Sequence, residues 1–279
     1  MGLRINTNVT SMNAMRALGQ TKGFMDKTMN RLSSGSRINS SADDAAGLAI
    51  SENFKAQMRG LKQSVRNAQD GVSLIQIAEG GLNEIGNILV RLRELAIQSA
   101  SDTIGERERG MVEIEYRQLV DEVDRIAATT EFNGTNLLTG MNNLLDFQIN
   151  TRNSPDADRI SLDGSRTDVG STALGLDMAS VVDKLSAQDS LQVVDQAINY
   201  VSGLRANFGA IQSRLNSAID NLGSSIESSA SANSRIRDAD VAEESTALAK
   251  QNIMMQSGTA ILAQSNQQGA LALQLLKGS

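Results

Sequence analysis

Apolar residues recur every seven positions along two long stretches of this chain of 279 residues. In the first stretch Phe54, Leu61, Ala68, Ile75, Leu82, Leu89 and Ala96 follow one another without a break. Met58, Val65 and Val72 make a companion stripe, which beyond Val72 moves by one residue to Ala78, Ile85 and Leu92. Sustained heptads predict a long helix in a coiled-coil-like bundle. One helix from about Asp44 to Ser99 would be roughly 80 Å long. Two shorter helices broken at Gly80–Gly81 are the alternative. The second stretch carries Val194, Val201, Phe208, Leu215 and Leu222 on one stripe and Ala197, Leu204, Ile211 and Ala218 on the other. It predicts a helix from near Ser190 that lies along the first.

Between the two, Ser101 to Gly110 reads as a turn. Val112, Tyr116, Leu119, Val123 and Ile126 then alternate at spacings of four and three, the stripe of a third helix packed antiparallel to the long one. Phe132-Asn133-Gly134 opens a different texture, rich in Asn, Asp, Ser, Thr and Gly, that lasts to about Ser186. Asn-Gly favours a tight turn. The alternating runs Leu145–Ile149 and Arg159–Asp163 predict strands in hairpins, with Pro155 in the turn between them. This β patch is expected on the end of the bundle.

Both ends differ from this body. Met12, Met15, Leu18, Met25, Met29 and Leu32 are spaced for an amphipathic helix, weakened by Gly19 and Gly23. Ser33 to Ser41 is small and polar except for Ile38 and reads as a flexible hinge. Ser41 suits the N-cap of the next helix, with Asp44 three residues on and Asp43 and Asp44 in its first turn, where the helix dipole favours negative charge. Ser224 to Asn233 is small and polar again and predicts a second, mirrored hinge.

The last segment, from Val241, contains no charged residue between Lys250 and Lys277. Thirteen of the residues between them are Ile, Leu, Met or Ala, but six are Gln. Amides and hydroxyls interrupt every apolar run, which argues against a membrane span. A monomeric surface helix carries charge on its wet face, so an uncharged one implies contact with protein on most sides. Two readings stay open: self-association in many copies through contacts that do not close, or a fold-back of this segment onto the bundle as one more core helix.

Composition narrows the chemistry. The chain has no His and no Cys, which removes the commonest metal ligands and the usual general base near neutrality. A net charge of −6 argues against a nucleic-acid partner. The tempting carboxylate pairs, Glu113 with Glu115 and Asp43 with Asp44, are better explained by solvated helix faces and a capping turn. No secretory leader is legible, because MGLRINTNVTSM is too polar for one.

These residues also carry a resemblance. Ile5-Asn-Thr-Asn8, Leu32-Ser-Ser-Gly35, Arg37-Ile38-Asn39 and Ala42-Asp-Asp-Ala-Ala-Gly-Leu-Ala-Ile50 resemble the opening and the most recognisable stretch of bacterial flagellin. Asn67-Ala-Gln-Asp-Gly71, Ala78-Glu-Gly80, Arg91-Leu-Arg-Glu-Leu-Ala96, Phe132-Asn-Gly134, Ser234-Arg-Ile236, Asp238-Ala-Asp240 and Leu262-Ala-Gln264 follow in the family's order. Gly269, in Asn266-Gln-Gln-Gly269, and the ending Leu-Leu-Lys-Gly-Ser depart from the common pattern, which has Pro and Leu-Leu-Arg there. The resemblance implies a mainly α fold: a long antiparallel coiled-coil-like bundle with a small β-hairpin patch and the terminal helices paired in a separate domain. Residues 1–40 and 234–279 would be the two halves of an inner-tube domain, and 41–233 the body, with the hairpin region at about 132–186.

By the same resemblance the chain is a structural subunit of an extracellular filament, without cofactor or metal, exported through the flagellar type III apparatus. A hook–filament junction protein is the alternative. Polymerisation would fall to Leu3, Ile5, Leu18, Met25, Met29, Leu32, Leu248, Met255, Leu262, Leu271, Leu273, Leu275 and Leu276. The hinge or spoke would be Ser33, Ser34, Gly35, Asp43 and Asp44. Expected partners are other copies in a helical homopolymer, flagellar cap and hook-associated proteins, and an export chaperone on the C-terminal segment. The flagellin-sensing Toll-like receptor of animals would contact Arg91, Leu95 and Glu115.

Overall fold

The structure, a computed structural model, describes residues 8–140 and 144–277, with side chains as far as 267. Its helices are α1 (Val9–Ser34), α2 (Ala45–Ala100), α3 (Glu106–Thr129), α4 (Pro155–Asp158), α5 (Ser171–Leu174), α6 (Lys184–Arg237) and α7 (Val241–Lys277). Its strands are β1 (Glu131–Phe132), β2 (Thr135–Asn136), β3 (Leu144–Gln148) and β4 (Arg159–Asp163). The chain divides into two compact units, one joining Met1–Ala56 to Ser228–Ser279 and the other Gln57–Glu227.

In Gln57–Glu227 the heptads of α2 and α6 share one core. Leu61, Ala68, Ile75, Leu82, Leu89 and Ala96 are buried, and so are Ala78, Ile85 and Leu92 of the shifted stripe. Val194, Val201, Phe208, Leu215 and Leu222 are buried on α6, with Ala197, Leu204 and Ile211 beside them. α2 runs through Gly80–Gly81 without a break. A glycine costs a helix about 1 kcal/mol, while full burial of a Leu or Ile contributes about 1.5–3 kcal/mol. Leu82, Ile85 and Leu89, all fully buried just past the glycines, decide for the single helix. Gly81 also has a packing reason, since a β-carbon there would stand 2.6 Å from Thr130 Oγ1 and 2.9 Å from Leu138 Cδ1. An exposed pair, Arg93 Nε and Asp195 Oδ1 at 2.6 Å, fastens α2 to α6 at the rim of this core.

α3 packs into the same core, on a face slightly rotated from the expected one. Tyr116 and Val123 are buried as expected, but Val120 and Ala127 complete the face, and Val112, Leu119 and Ile126 are half-buried at its edge. The turn before α3 is shorter than expected, because the helix already starts at Glu106. Arg109 holds that turn by donating to the carbonyls of Ser99 (2.9 Å) and Ser101 (3.0 Å).

Asn133 (φ 49°) and Gly134 (φ 75°) both occupy the left-handed region between β1 and β2, the requirement of a tight hairpin turn. β3 and β4 pair antiparallel from Leu144↔Asp163 to Gln148↔Arg159. Pro155 sits in the connection, at the start of α4, where its missing N–H is no loss. The hairpin lies against the flank of α2 rather than on the end of the bundle. Asn67 Nδ2 donates to Gln148 O at 3.2 Å, and Phe147 packs against Gly71.

Two expectations about α6 are corrected. The helix begins at Lys184, not near Ser190, because Asp183 O accepts from Ala187 N (2.8 Å) and Ala187 is already in the core. The second hinge does not exist: Ser224–Asn233 is helical, and α6 continues to Arg237. Ser and Ala are adequate helix formers, no Pro interrupts them, and Arg235 and Arg237 place positive charge in the last turn.

Candidate assembly surface on the paired terminal helices

In the other unit α1 and α7 run antiparallel along each other. Asn8 caps α1: its Oδ1 accepts from Ser11 N at 3.1 Å, while its Nδ2 donates to Ser265 O at 3.0 Å. Ser11 Oγ donates to Asn266 Oδ1 at 3.0 Å, and the hydroxyls of Thr10 and Ser265 are 2.8 Å apart. Further along, Gly258 faces Leu18, and Gln251 Nε2 donates to Thr28 Oγ1 at 3.3 Å. Arg31 pairs with Glu244 at 2.8 Å near the far end. Among the described residues of this seam the buried ones are Ser11, Thr21, Thr28 and Ser265, so hydroxyls and amides take positions that Leu and Ile fill in the other unit.

α1 ends at Gly35, in the left-handed region at φ 67°. Ser33 and Ser34 therefore belong to the last turn of α1 rather than to a hinge. The stretch that follows is tied down, which corrects the flexible reading. Ser36 bridges to Asp238, Arg37 N donates to Arg237 O at 2.6 Å, and Ala239 N donates to Gly35 O at 3.0 Å. Ile38, the lone apolar residue of the stretch, is 2% exposed and packs against Gly47. Asp44, not Ser41, caps α2, accepting from Gly47 N at 2.9 Å. Asp43 lies before the helix and accepts from the amides of Asn39 (3.3 Å) and Ser40 (3.2 Å). Its carboxylate also meets Lys27 Nζ at 2.7 Å. That ammonium, helped by the two amides and opposed by a smaller desolvation, holds the carboxyl at about 2 rather than 3.8. Lys27, Asn30, Arg31, Asn39 and Asp43 line an open groove of about 610 Å³ here.

The residues expected to polymerise fall into three groups. Leu18, Met25 and Leu32 of α1 and Leu248, Met255 and Leu262 of α7 are half-buried and partly used by the seam inside one chain. Met29 alone among those described stays exposed, at 52%. Leu3 and Ile5 lie outside the described residues, as do the side chains of Leu271, Leu273, Leu275 and Leu276. What the sequence reading missed is the set of large apolar residues that pairing leaves open. Met12, Met15 and Phe24 on α1 and Ile253, Met254 and Ile261 on α7 are all at least half exposed. The signal for the α7 members is present in the sequence: between Lys250 and Lys277 its apolar residues lie all round a stretch with no charge to mark a wet face. Phe24 stands off the Met and Leu stripe, so periodicity passes over it.

The residues expected to meet the receptor are not one surface. Arg91 and Glu115 are exposed and joined, with Arg91 Nε 3.0 Å and Nη2 2.7 Å from Glu115 Oε1. Arg91 also reaches Glu94 at 2.9 Å, and these two carboxylates raise its pKa. Leu95 is 1% exposed in the core. Of the carboxylate pairs, Glu113 is occupied by Arg117 (2.7 Å) and Val181 N (2.7 Å). Among the described residues no group of three or more His, Cys, Asp or Glu could hold a metal ion, and no helix is long and apolar enough to cross a membrane.

A helix pair with apolar side chains left on its outer faces has the kind of surface that marks contact with other protein. Two family models match this chain. The bacterial flagellin N-terminal helical region covers residues 5–143, and the bacterial flagellin C-terminal helical region covers 191–276. The flagellin of Halalkalibacterium halodurans is 42% identical over 98% of this chain and 99% of its own length. That of Bacillus subtilis is 40% identical over 99% of this chain and 100% of its own. The crystal structure of Bacillus cereus flagellin aligns with a TM-score of 0.51 and 30% identity, over 56% of this chain and 88% of that one. The chain belongs to the bacterial flagellin family.

Proposed function

We propose that this chain, a structural subunit of the extracellular bacterial flagellar filament, polymerises through the outer faces of α1 and α7. The observation that carries the reading is the apolar surface left after those helices have paired, chiefly Met12, Met15, Phe24, Ile253, Met254 and Ile261. Surface of this kind is covered in a soluble protein's working state. Contacts of the heterologous type then extend into a helical polymer rather than a closed ring. The inner layer of that polymer is residues 1–40 with 234–279, and 41–233 is left for the layer outside. The role is mechanical, without catalysis, which fits carboxylates already engaged by Arg, Lys and backbone amides.

The same open faces suit an export chaperone that covers the C-terminal segment until assembly, and cap and hook-associated proteins at the polymer's ends. An animal Toll-like receptor would find Arg91 and Glu115 on the surface. Removal of residues 241–279 tests the central reading. The truncated chain keeps the helical circular dichroism of its α2–α3–α6 bundle and forms no filaments in negative-stain images. Filaments from the truncated chain would overturn the assignment to α7.

A further inference from the structure

Met12, Met15, Met25, Met29, Met254 and Met255 put six of the eleven methionines on α1 and α7. Met12, Met15, Met29 and Met254 are 55%, 56%, 52% and 50% exposed. The chain has neither Cys nor Trp, so the thioethers are its most readily oxidised side chains. Leu or Ile would supply the same apolar area without this chemistry, as Ile253 and Ile261 do beside Met254.

We infer that the thioethers of Met12, Met15, Met29 and Met254 form an oxidation site on the unassembled subunit that blocks its polymerisation. The inference rests on the assembly reading above. The oxidant is a two-electron peroxide such as hydrogen peroxide. A sulfur lone pair attacks one peroxide oxygen, the O–O bond breaks, a sulfur–oxygen bond forms, and the second oxygen leaves as water after proton transfer. Sulfur is oxidised to the sulfoxide and the peroxide is reduced. In the free subunit the new oxygen faces water, so the fold is kept. Against a neighbouring subunit it must give up that water for an apolar surface. Once assembled, the same sulfurs are covered, so the polymer is protected where the free subunit is not.

The test uses the full chain, each preparation compared with its own untreated control. Peroxide-treated subunits keep their helical circular dichroism while the critical concentration for polymerisation rises about tenfold or more, the factor that one unpaired polar group per contact implies. The chain with Met12→Leu, Met15→Leu, Met29→Leu and Met254→Leu shows no such rise on treatment. Peptide mass spectrometry finds sulfoxide at the four positions in treated subunits but not in treated filaments. Met178, which is 96% exposed in Gln57–Glu227, is oxidised in both. The inference is overturned if fully oxidised wild-type subunits polymerise like untreated ones, or if the leucine chain is inhibited equally. Oxidation of the four sulfurs in intact filaments as fast as Met178 overturns it too. Untreated wild-type chain that does not polymerise at all sinks the assembly reading, and the inference with it.

Discussion

Gly258 and Leu18 meet across the antiparallel terminal helices, where a β-carbon at 258 would stand 2.7 Å from Leu18 Cδ2 and 3.1 Å from its Cγ. The contact sets how closely α7 approaches α1. Gly258→Val therefore overpacks the seam by about 1–3 kcal/mol. Protease cleavage within α7 in the free subunit should accelerate about tenfold or more. Adding Leu18→Ala restores space, so the double variant should be cleaved more slowly than the sum of the two single effects requires.

The neighbouring glycines of α2 behave oppositely when substituted. Gly80 is exposed with open space around it, so Gly80→Ala stabilises the helix by about 1 kcal/mol. Gly81→Ala drives its methyl into Thr130 and Leu138 and costs about 1–3 kcal/mol. Thermal unfolding of the two variants should move in opposite directions from the parent; movement in the same direction would show that Gly81 is not a packing notch.

Tyr116 is fully buried and its hydroxyl has no hydrogen-bond partner. Tyr116→Phe removes an unsatisfied group and should be neutral or stabilising by about 1–2 kcal/mol near neutrality. Burial, the largest cause, also pushes the phenol from 10.0 up to about 12. A raised folded-state value means that stability is complete below pH 10 and falls as pH rises from there towards 12, because the unfolded chain ionises first. The parent should lose on the order of 2–3 kcal/mol across that window relative to Tyr116→Phe. Parallel urea titrations at pH 9 and above give the difference.

Asp43 acts in the opposite pH range. Its folded-state value of about 2 lies below the ordinary 3.8. Its contribution is therefore present above about pH 4 and is lost as pH falls towards 2. Acid should release Lys27 and the amides of Asn39 and Ser40. Amide exchange at those two positions, corrected for intrinsic rates, should rise between pH 4 and 2 in the parent. In Asp43→Asn it should be high already at pH 5, with no step below.

Most of the helical bundle was legible in the sequence because its stripes serve one purpose, burial along a shared core. The one-residue shift after Val72 is borne out by Ala78, Ile85 and Leu92, all fully buried. The hairpin was legible too, since Asn133-Gly134 and the alternating strands carry local chemistry. Composition misled at Ser224–Asn233, where small polar residues permit a loop but do not demand one, and the helix on either side carries through them. The cap is ambiguous for a related reason: Ser41 and Asp44 both suit the position by residue type, and it is Asp44 that accepts from Gly47 N. The terminal helices are the least legible part of the sequence. The buried positions of their seam, among the described residues, are Ser and Thr, which periodicity scores as surface, while several of their apolar residues face outward.

The charge-free run between Lys250 and Lys277 has an environmental consequence. Attraction between exposed charges is screened over about 10 Å at 0.1 M salt and over less in brine. Apolar and amide contacts hold no net charge to be screened in this way. On the assembly reading proposed above, the joints that this stretch of α7 makes between copies would not be loosened by charge screening, so a swimming cell crossing a salinity gradient would keep the same cohesion there.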